Sequence, residues 1–382
     1  MENRIYLDHA ATSPIHPEVI QTMLGAITNT YGNPSSIHYA GREARKALDE
    51  ARHNIAENIH AEEKEIIFTS GGTEGDNLAI IGTALAHKEN GKHIITSQIE
   101  HHAVLKTCEY LETQGFEVTY LPVNAHGTVS AESVKNALCP DTILVSIMYG
   151  NNEIGTIQPI MEISEVLRDH QAIFHTDAVQ AYGLLNINVT ELGVDLLTTS
   201  SHKINGPRGV GFLYVKNGTR LVYQMHGGEQ ERKRRAGTEN LAGICGFSAA
   251  SSIMNNEREL KKEEYVSFKK RMAEIWRSAD IDFEVNGLEA HTLPHVFSVR
   301  FKGVSIEQLL MNLDMEGIAV SSGSACTAGT VDPSHVLVAL FGESHPAIQE
   351  TVRISFGLGN HLEEVETAAT KISEVVTRLM KI

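Results

Sequence analysis

Between residues 66 and 215 the chain alternates short apolar runs with segments of helical period, and this alternation constrains the fold more than any other feature. β-prone runs stand at 66–69, 93–97, 118–121, 143–148, 173–176, 196–199 and 210–215. Helical patterns fill 76–87, 103–114, 131–138 and 162–169. Near-continuous apolar strands between amphipathic segments predict an α/β fold, with a mostly parallel seven-stranded sheet covered by helices on both faces. Upstream, Pro17 suits the first turn of a helix. A second helix is predicted over 41–58, with Ala44, Leu48, Ala51 and Ile55 on one face. Downstream, a long helical region covers 240–279. Near Asn255-Asn256 its character changes from small and apolar to highly charged. A boundary placed there gives a large domain, 15–255, and a smaller α+β domain from 1–14 and 256–382. The charged run itself reads as a solvated helix face.

Charge excludes some partners. Lys and Arg number 32 against 48 Asp and Glu, a formal net charge of -16. Such a chain is a poor polyanion binder, so no direct nucleic-acid partner is expected. The one basic cluster, Arg232-Lys233-Arg234-Arg235, reads as substrate-side electrostatics or a dimer contact. Four cysteines, Cys108, Cys139, Cys245 and Cys326, form no Cys-x-x-Cys pair. That pattern argues against a disulfide framework or zinc ribbon and fits a reducing compartment. His101-His102 makes a poor metal site, because adjacent side chains point apart and no third ligand is spaced with them. With no signal segment and no bilayer-length apolar run, a cytoplasmic chain without membrane partners is expected.

In parallel sheets, sites gather at the carboxyl ends of the strands. Five such ends carry chemistry here. Thr69-Ser70-Gly71-Gly72-Thr73-Glu74 follows a strand and opens a helix, as a phosphate cradle does and as a plain capped turn also does. His101 ends the next strand, where an imidazole can stack on a flat ring and shuttle protons. Asn152, in Asn151-Asn152-Glu153-Ile154-Gly155, can donate to a cofactor oxygen or a substrate carboxylate. Asp177 follows an apolar run and needs a positive partner, such as a protonated pyridine nitrogen, or else caps a helix. Gln180 stands one turn on. Lys203, in Ser200-Ser201-His202-Lys203, ends a buried-looking strand, where a lysine is costly unless it is paired or used as an imine-forming amine. Pyridoxal phosphate needs all of these groups.

These motifs make the chain resemble a cysteine desulfurase of the NifS/IscS-like branch of the class V aminotransferases. The resemblance extends over essentially the whole chain. It also rests on Tyr6-Leu7-Asp8-His9-Ala10-Ala11-Thr12, Gly32-Asn33-Pro34-Ser35-Ser36-Ile37-His38, His175-Thr176-Asp177-Ala178-Val179-Gln180, Arg235-Ala236-Gly237-Thr238-Glu239-Asn240 and Ser321-Ser322-Gly323-Ser324-Ala325-Cys326. It implies the type I pyridoxal-phosphate-enzyme fold. Lys203 would hold the cofactor as a Schiff base, Asp177 would pair with the ring nitrogen, Gln180 with the ring oxygen, and His101 would stack on the ring. Gly72, Thr73, Ser200 and His202 would hold the phosphate. Thr238 would reach it from a second subunit, which implies a homodimer. Asn152 and Arg353, with Asn33 a further candidate, would hold the substrate carboxylate. No metal is implied.

Cys326 separates neighbouring activities. It sits in 321–333, rich in Ser, Gly, Ala and Thr, a composition that suits a mobile loop presenting a reactive thiol. The implied reaction takes L-cysteine to L-alanine and leaves a persulfide on Cys326. A protein acceptor in iron–sulfur cluster assembly or tRNA thiolation would take the sulfur. Cys108, Cys139 and Cys245 read as structural. A selenocysteine lyase, or another aminotransferase-like reaction on the same scaffold, is the alternative, since fold alone does not fix chemistry. A catalytically silent partner of a sulfur-transfer assembly is a second alternative, which the intact lysine, acid and cysteine argue against.

Overall fold

The computed structural model describes residues 4–288, 291–323 and 333–381. In chain order the first elements are β1 (Ile5–Tyr6), α1 (Pro17–Asn29), α2 (Tyr39–Asn58), β2 (Ile66–Thr69), α3 (Gly72–His87), β3 (His93–Ser97), α4 (His102–Thr113), β4 (Glu117–Leu121) and α5 (Ala131–Ala137). There follow β5 (Thr142–Ser146), α6 (Ile160–Leu167), β6 (Ile173–Asp177), α7 (Val189–Leu192), β7 (Leu196–Ser200), β8 (Gly211–Val215), α8 (Gln230–Lys233) and α9 (Leu241–Ser278). The chain ends with β9 (Phe283–Val285), β10 (Val296–Phe301), α10 (Ile306–Met315), β11 (Ile318–Ala319), α11 (His335–Phe341), α12 (Ala347–Glu350), β12 (Thr351–Ser355) and α13 (Leu362–Leu379).

The main sheet has seven strands in the order β2-β8-β7-β6-β5-β3-β4. Strands β7, β6, β5, β3 and β4 run parallel to one another, as buried apolar runs favour. Strand β8 is reversed and pairs antiparallel with both β7 and β2. Only residues 201–210 join β7 to β8, too short a link for the crossover that a parallel pair needs. The chain order reverses direction between β3 and β5, the place where such sheets open a binding crevice.

One face of the sheet is covered by α1, α2 and the first half of α9. There Phe212 stacks on Phe247 at 5.7 Å, with Tyr182 edge-on at 5.4 Å from Phe212. The second half of α9 packs on α13 and the three-stranded sheet β12-β10-β9. Trp276 anchors that contact, stacked on Phe297 at 5.8 Å and donating to the Ala369 carbonyl at 3.0 Å. Strand β1 pairs parallel with β11, which joins the N-terminal residues to the C-terminal part. Residues 255–256 lie inside α9, which is continuous for 38 residues, about 57 Å at the helical rise. The charged run within it is only partly solvated, because Lys261 is buried and pairs with Glu257 at 3.3 Å.

The outer edge of β2 is closed by side chains. Arg52 of α2 donates to the Ile66 carbonyl at 2.8 Å, and Glu231 accepts from the Phe68 amide at 3.0 Å. The two side chains form a buried bidentate pair at 2.6 and 2.9 Å, and the guanidinium lies 4.7 Å over the Phe68 ring. Positive φ values of 46° at Glu231 and 58° at Arg232 bend the chain to bring the acid there. Arg234 adds a bond to the Lys64 carbonyl at 2.6 Å. Part of the basic cluster is thus consumed within the chain, in protecting a sheet edge. Among the described residues no helix is long and apolar enough to cross a membrane.

Candidate active site

A cavity of about 380 Å³ opens at the carboxyl ends of the parallel strands. Its lining includes Gly72, Thr73, Asp76, His101, Asn152, Asp177, Gln180, Ser200, His202, Lys203 and Arg353, with Ala10, Ala11 and Gly323 completing the wall. Ten of the sequence-predicted residues therefore converge, from loops spread over 280 positions. A second opening, lined by Ser70, Gly71, Gly72, Thr73, Ser200, His202 and Arg208, adjoins it at the start of α3.

That end is built from backbone. Gly71 caps α3 with φ 148°, a conformation open essentially to glycine. A Cβ on Gly72 would meet Val179 at 2.9 Å, so the first turn of α3 is pressed against the loop after β6. Glu74 accepts from the Ser70 amide at 2.8 Å and from Arg235 at 2.9 Å, which fixes the turn. Its free amides and hydroxyls face the opening and can bind an anion.

Asp177, the last residue of β6, also lines the cavity. Its Oδ1 accepts from the Val179 amide at 2.9 Å, and burial pushes its carboxyl up to about 6 despite the Lys203 charge. His101 caps α4, its Nδ1 accepting from Ala103 at 3.1 Å. Burial, then the Lys203 charge, pushes the imidazole down to about 4, so it is neutral at physiological pH. Gln180 donates to the Ala10 carbonyl at 2.9 Å and bonds His295 at 3.1 Å.

Lys203 closes the single 3-10 turn Ser201–Lys203 that follows β7. Its Nζ donates to the Ala10 and Ala11 carbonyls at 2.6 and 2.8 Å. The N-terminal segment therefore holds the amine over the cavity. His202 is pushed down to about 4 by burial and Lys203, and its Nδ1 meets Thr12 at 3.2 Å. On the substrate side, Arg353 of β12 is buried. It donates to Asp8 at 2.8 Å and to the Asn152 carbonyl at 3.0 Å, and its Nε has no partner among the described residues. Asn151, by contrast, is consumed in its own loop, accepting from Glu153 and Ile154 at 2.8 and 2.9 Å.

Two expected residues are not brought to the cavity of this chain. Asn33 is exposed and accepts from Ser35 at 2.9 Å within its own turn. Thr238 is exposed just ahead of α9. Cys326 lies outside the described residues; Gly323, three positions before it in sequence, lines the cavity. Among the other cysteines, Cys108 is buried and its thiol pushed well up by that burial, an inert thiol. Sequence reasoning missed Asp8 as the partner of Arg353 and gave no role to Asp76 or Glu153. Asp8 and Glu153 stood in quoted motifs and Asp76 opened a predicted helix; the Arg353 contact of Asp8 and the burial of Asp76 and Glu153 are visible only in the structure. Glu153 is buried, bonds Ser334, and leaves no room for a Cβ at Gly323, so it ties together the two described chain ends that flank residues 324–332.

One amine, an anion cradle, a neutral imidazole and buried carboxyls in one cavity define a site for an anionic carbonyl ligand with a cationic ring. Carboxylate oxygens of Asp76 and Asp177 and a ring nitrogen of His101 lie within 4.8 Å of one another, a set that attracts a cation. The amine and the helix N-terminus beside it favour an organic cation that also carries a carbonyl and a phosphate.

The sequence profile described as aminotransferase class V matches residues 5–367. The chain is 60% identical to IscS 1 of Bacillus subtilis (strain 168) over 376 residues, which is 98% of this chain and 99% of that one. It is 46% identical to the cysteine desulfurase IscS of Methanosarcina thermophila, over 99% of this chain and 93% of that one. Among solved structures, a NifS-like protein superposes with a TM-score of 0.92 at 33% identity, over 99% of this chain and 100% of that one. SspA in complex with cysteine superposes with a TM-score of 0.82 at 36% identity, over 93% and 99%. The chain belongs to the class V aminotransferase family, among its IscS/NifS-like cysteine desulfurases. Pyridoxal phosphate is a general property of that family.

Proposed function

We propose that this protein is a pyridoxal-phosphate-dependent cysteine desulfurase that converts L-cysteine to L-alanine and carries the sulfur away as a persulfide on Cys326. The observation that carries the reading is the placement of the Lys203 amine, the Asp177 carboxylate and the first turn of α3 around one cavity. The residues fit the cofactor. The α3 turn, Ser200 and His202 would hold its phosphate, Lys203 its carbonyl carbon, Asp177 its ring nitrogen, and His101 its ring face. Gln180 gives one Nε2–H to Ala10 and its Oε1 to His295, which leaves the second Nε2–H for the ring oxygen. When bound, the cofactor supplies an electron sink for the bond electrons of the substrate Cα.

The chain's own groups do the rest. Arg353 and Asn152, both in the cavity wall, bind the substrate carboxylate. The Lys203 amine, once free, takes the Cα proton. The Cys326 thiolate attacks the substrate sulfur, so that an S–S bond forms as the Cβ–S bond breaks. His101, kept neutral, can carry a proton at Nε2. Thr238 would complete the phosphate site from a second subunit, which makes the working unit a homodimer. Residues 15–255 then form the cofactor domain, and 1–14 with 256–382 the small domain. In this reading the sulfur passes, in the cytoplasm, to a protein acceptor of iron–sulfur cluster assembly, with tRNA thiolation the other outlet. The test is incubation with L-cysteine and no keto acid. Wild type yields alanine and a protein persulfide, Lys203→Ala yields neither and lacks the lysine–cofactor absorbance, and Cys326→Ser keeps that absorbance but forms no persulfide. Alanine and persulfide at the wild-type rate from either variant would overturn the assignment.

A further inference from the structure

Asp76 is an acid in the cavity wall to which the scheme above gives no task. It stands at the fifth position of α3, 1% exposed, and its Oδ1 has no hydrogen-bond partner among the described residues. The nearest imidazole, His175, is 3.6 Å away. That ring already bonds Ser146 at 2.8 Å and Thr198 at 3.0 Å, and burial holds it neutral by pushing it down to about 3. A carboxylate oxygen of Asp76 and one of Asp177 lie within 4.8 Å of each other. Glu100, a third buried acid near them, is tied up by Ser97 at 2.6 Å and the Met148 amide at 3.0 Å. Burial, then repulsion from Asp177, pushes the Asp76 carboxyl well above the usual range. A buried acid set beside another acid opposes folding unless a cation enters between them. An asparagine of the same size would avoid that cost.

We propose that Asp76 is a positioning residue that acts through Asp177, the two carboxyls forming one anionic pair that selects a ligand with a protonated ring nitrogen. The inference rests on the cofactor assignment above. A second negative charge this close raises the proton affinity of a neighbouring base by about one to three pK units, or tenfold to a thousandfold. Asp177 holds the nitrogen; with Asp76 beside it, the nitrogen keeps its proton. The effect must therefore depend on the nitrogen, which a packing role for Asp76 would not.

The test compares two ligands on full-length, cofactor-stripped protein. Dissociation constants are measured by equilibrium dialysis for pyridoxal phosphate and for its 1-deaza analogue, in which a C–H replaces the ring nitrogen. Wild type prefers pyridoxal phosphate. Asp76→Asn is expected to lose about tenfold or more of that preference, with affinity for the deaza analogue unchanged. A wild-type ratio in the variant, whether both affinities fall together or neither does, overturns the proposal. If Asp76→Asn does not fold, Asp76→Ala is read by the same ratio. Wild-type protein that binds neither ligand overturns the cofactor assignment itself, a result distinct from an unchanged ratio.

Discussion

Arg353 shows how a residue can be legible in type and not in surroundings. The family resemblance alone implied that it holds the substrate carboxylate. The structure adds that Asp8 and the Asn152 carbonyl already orient it, so the side chain is fixed before any ligand arrives. Arg353→Ala is expected to raise KM for cysteine by about ten- to a hundredfold, the worth of a charged hydrogen bond, while the cofactor absorbance stays. An unchanged KM in steady-state assays would remove Arg353 from substrate binding. The convergence of Lys203, Asp177 and His101 on one cavity was legible because each stands within four residues of the end of a β-prone run. Asp76 was not, because an acid in the first turns of a helix reads as ordinary dipole compensation until its burial is known.

At the scale of elements, strand positions were legible almost to the residue, since buried strands are uninterrupted apolar runs. The reversed β8 was also implicit, because ten residues cannot make a crossover. The edge clamp on β2 was not legible: Arg52 and Glu231 are 179 positions apart, and nothing local pairs them. Glu231→Ala leaves a buried guanidinium uncompensated and is expected to cost about 3–5 kcal/mol in chemical denaturation. Replacing both partners by apolar residues, Arg52→Met with Glu231→Leu, often restores such a loss in other proteins. Here it is expected not to, because the Phe68 amide at the sheet edge would lose its acceptor. Full recovery in the double variant would show that the pair serves only itself.

Across the whole molecule, eight imidazoles are held below their ordinary pKa, burial being the first cause at each: His9, His93, His101, His102, His175, His202, His295 and His335. In the window from about pH 6.5 down to about 4, the unfolded chain takes protons at these groups and the folded chain does not, so their contribution to stability is lost as pH falls. Among the described residues four buried carboxyls, Asp76, Glu100, Glu153 and Asp177, are raised and act in the opposite sense. The imidazoles outnumber them, so cofactor-stripped protein is expected to melt at a lower temperature at pH 5 than at pH 6.5. Calorimetry showing an equal or higher melting point at pH 5 would contradict that balance.

Helix α9 carries the aromatic packing of both halves, Phe247 toward one sheet and Trp276 toward the other. Because it is unbroken, a gene cut after codon 255 would sever a rod rather than release two pieces at a seam. Each fragment would keep half a helix with its apolar side bared, and the stump bearing Tyr265, Phe268 and Trp276 would lack the turns ahead of it. The two parts are expected to reach their native form only when made as one continuous polypeptide.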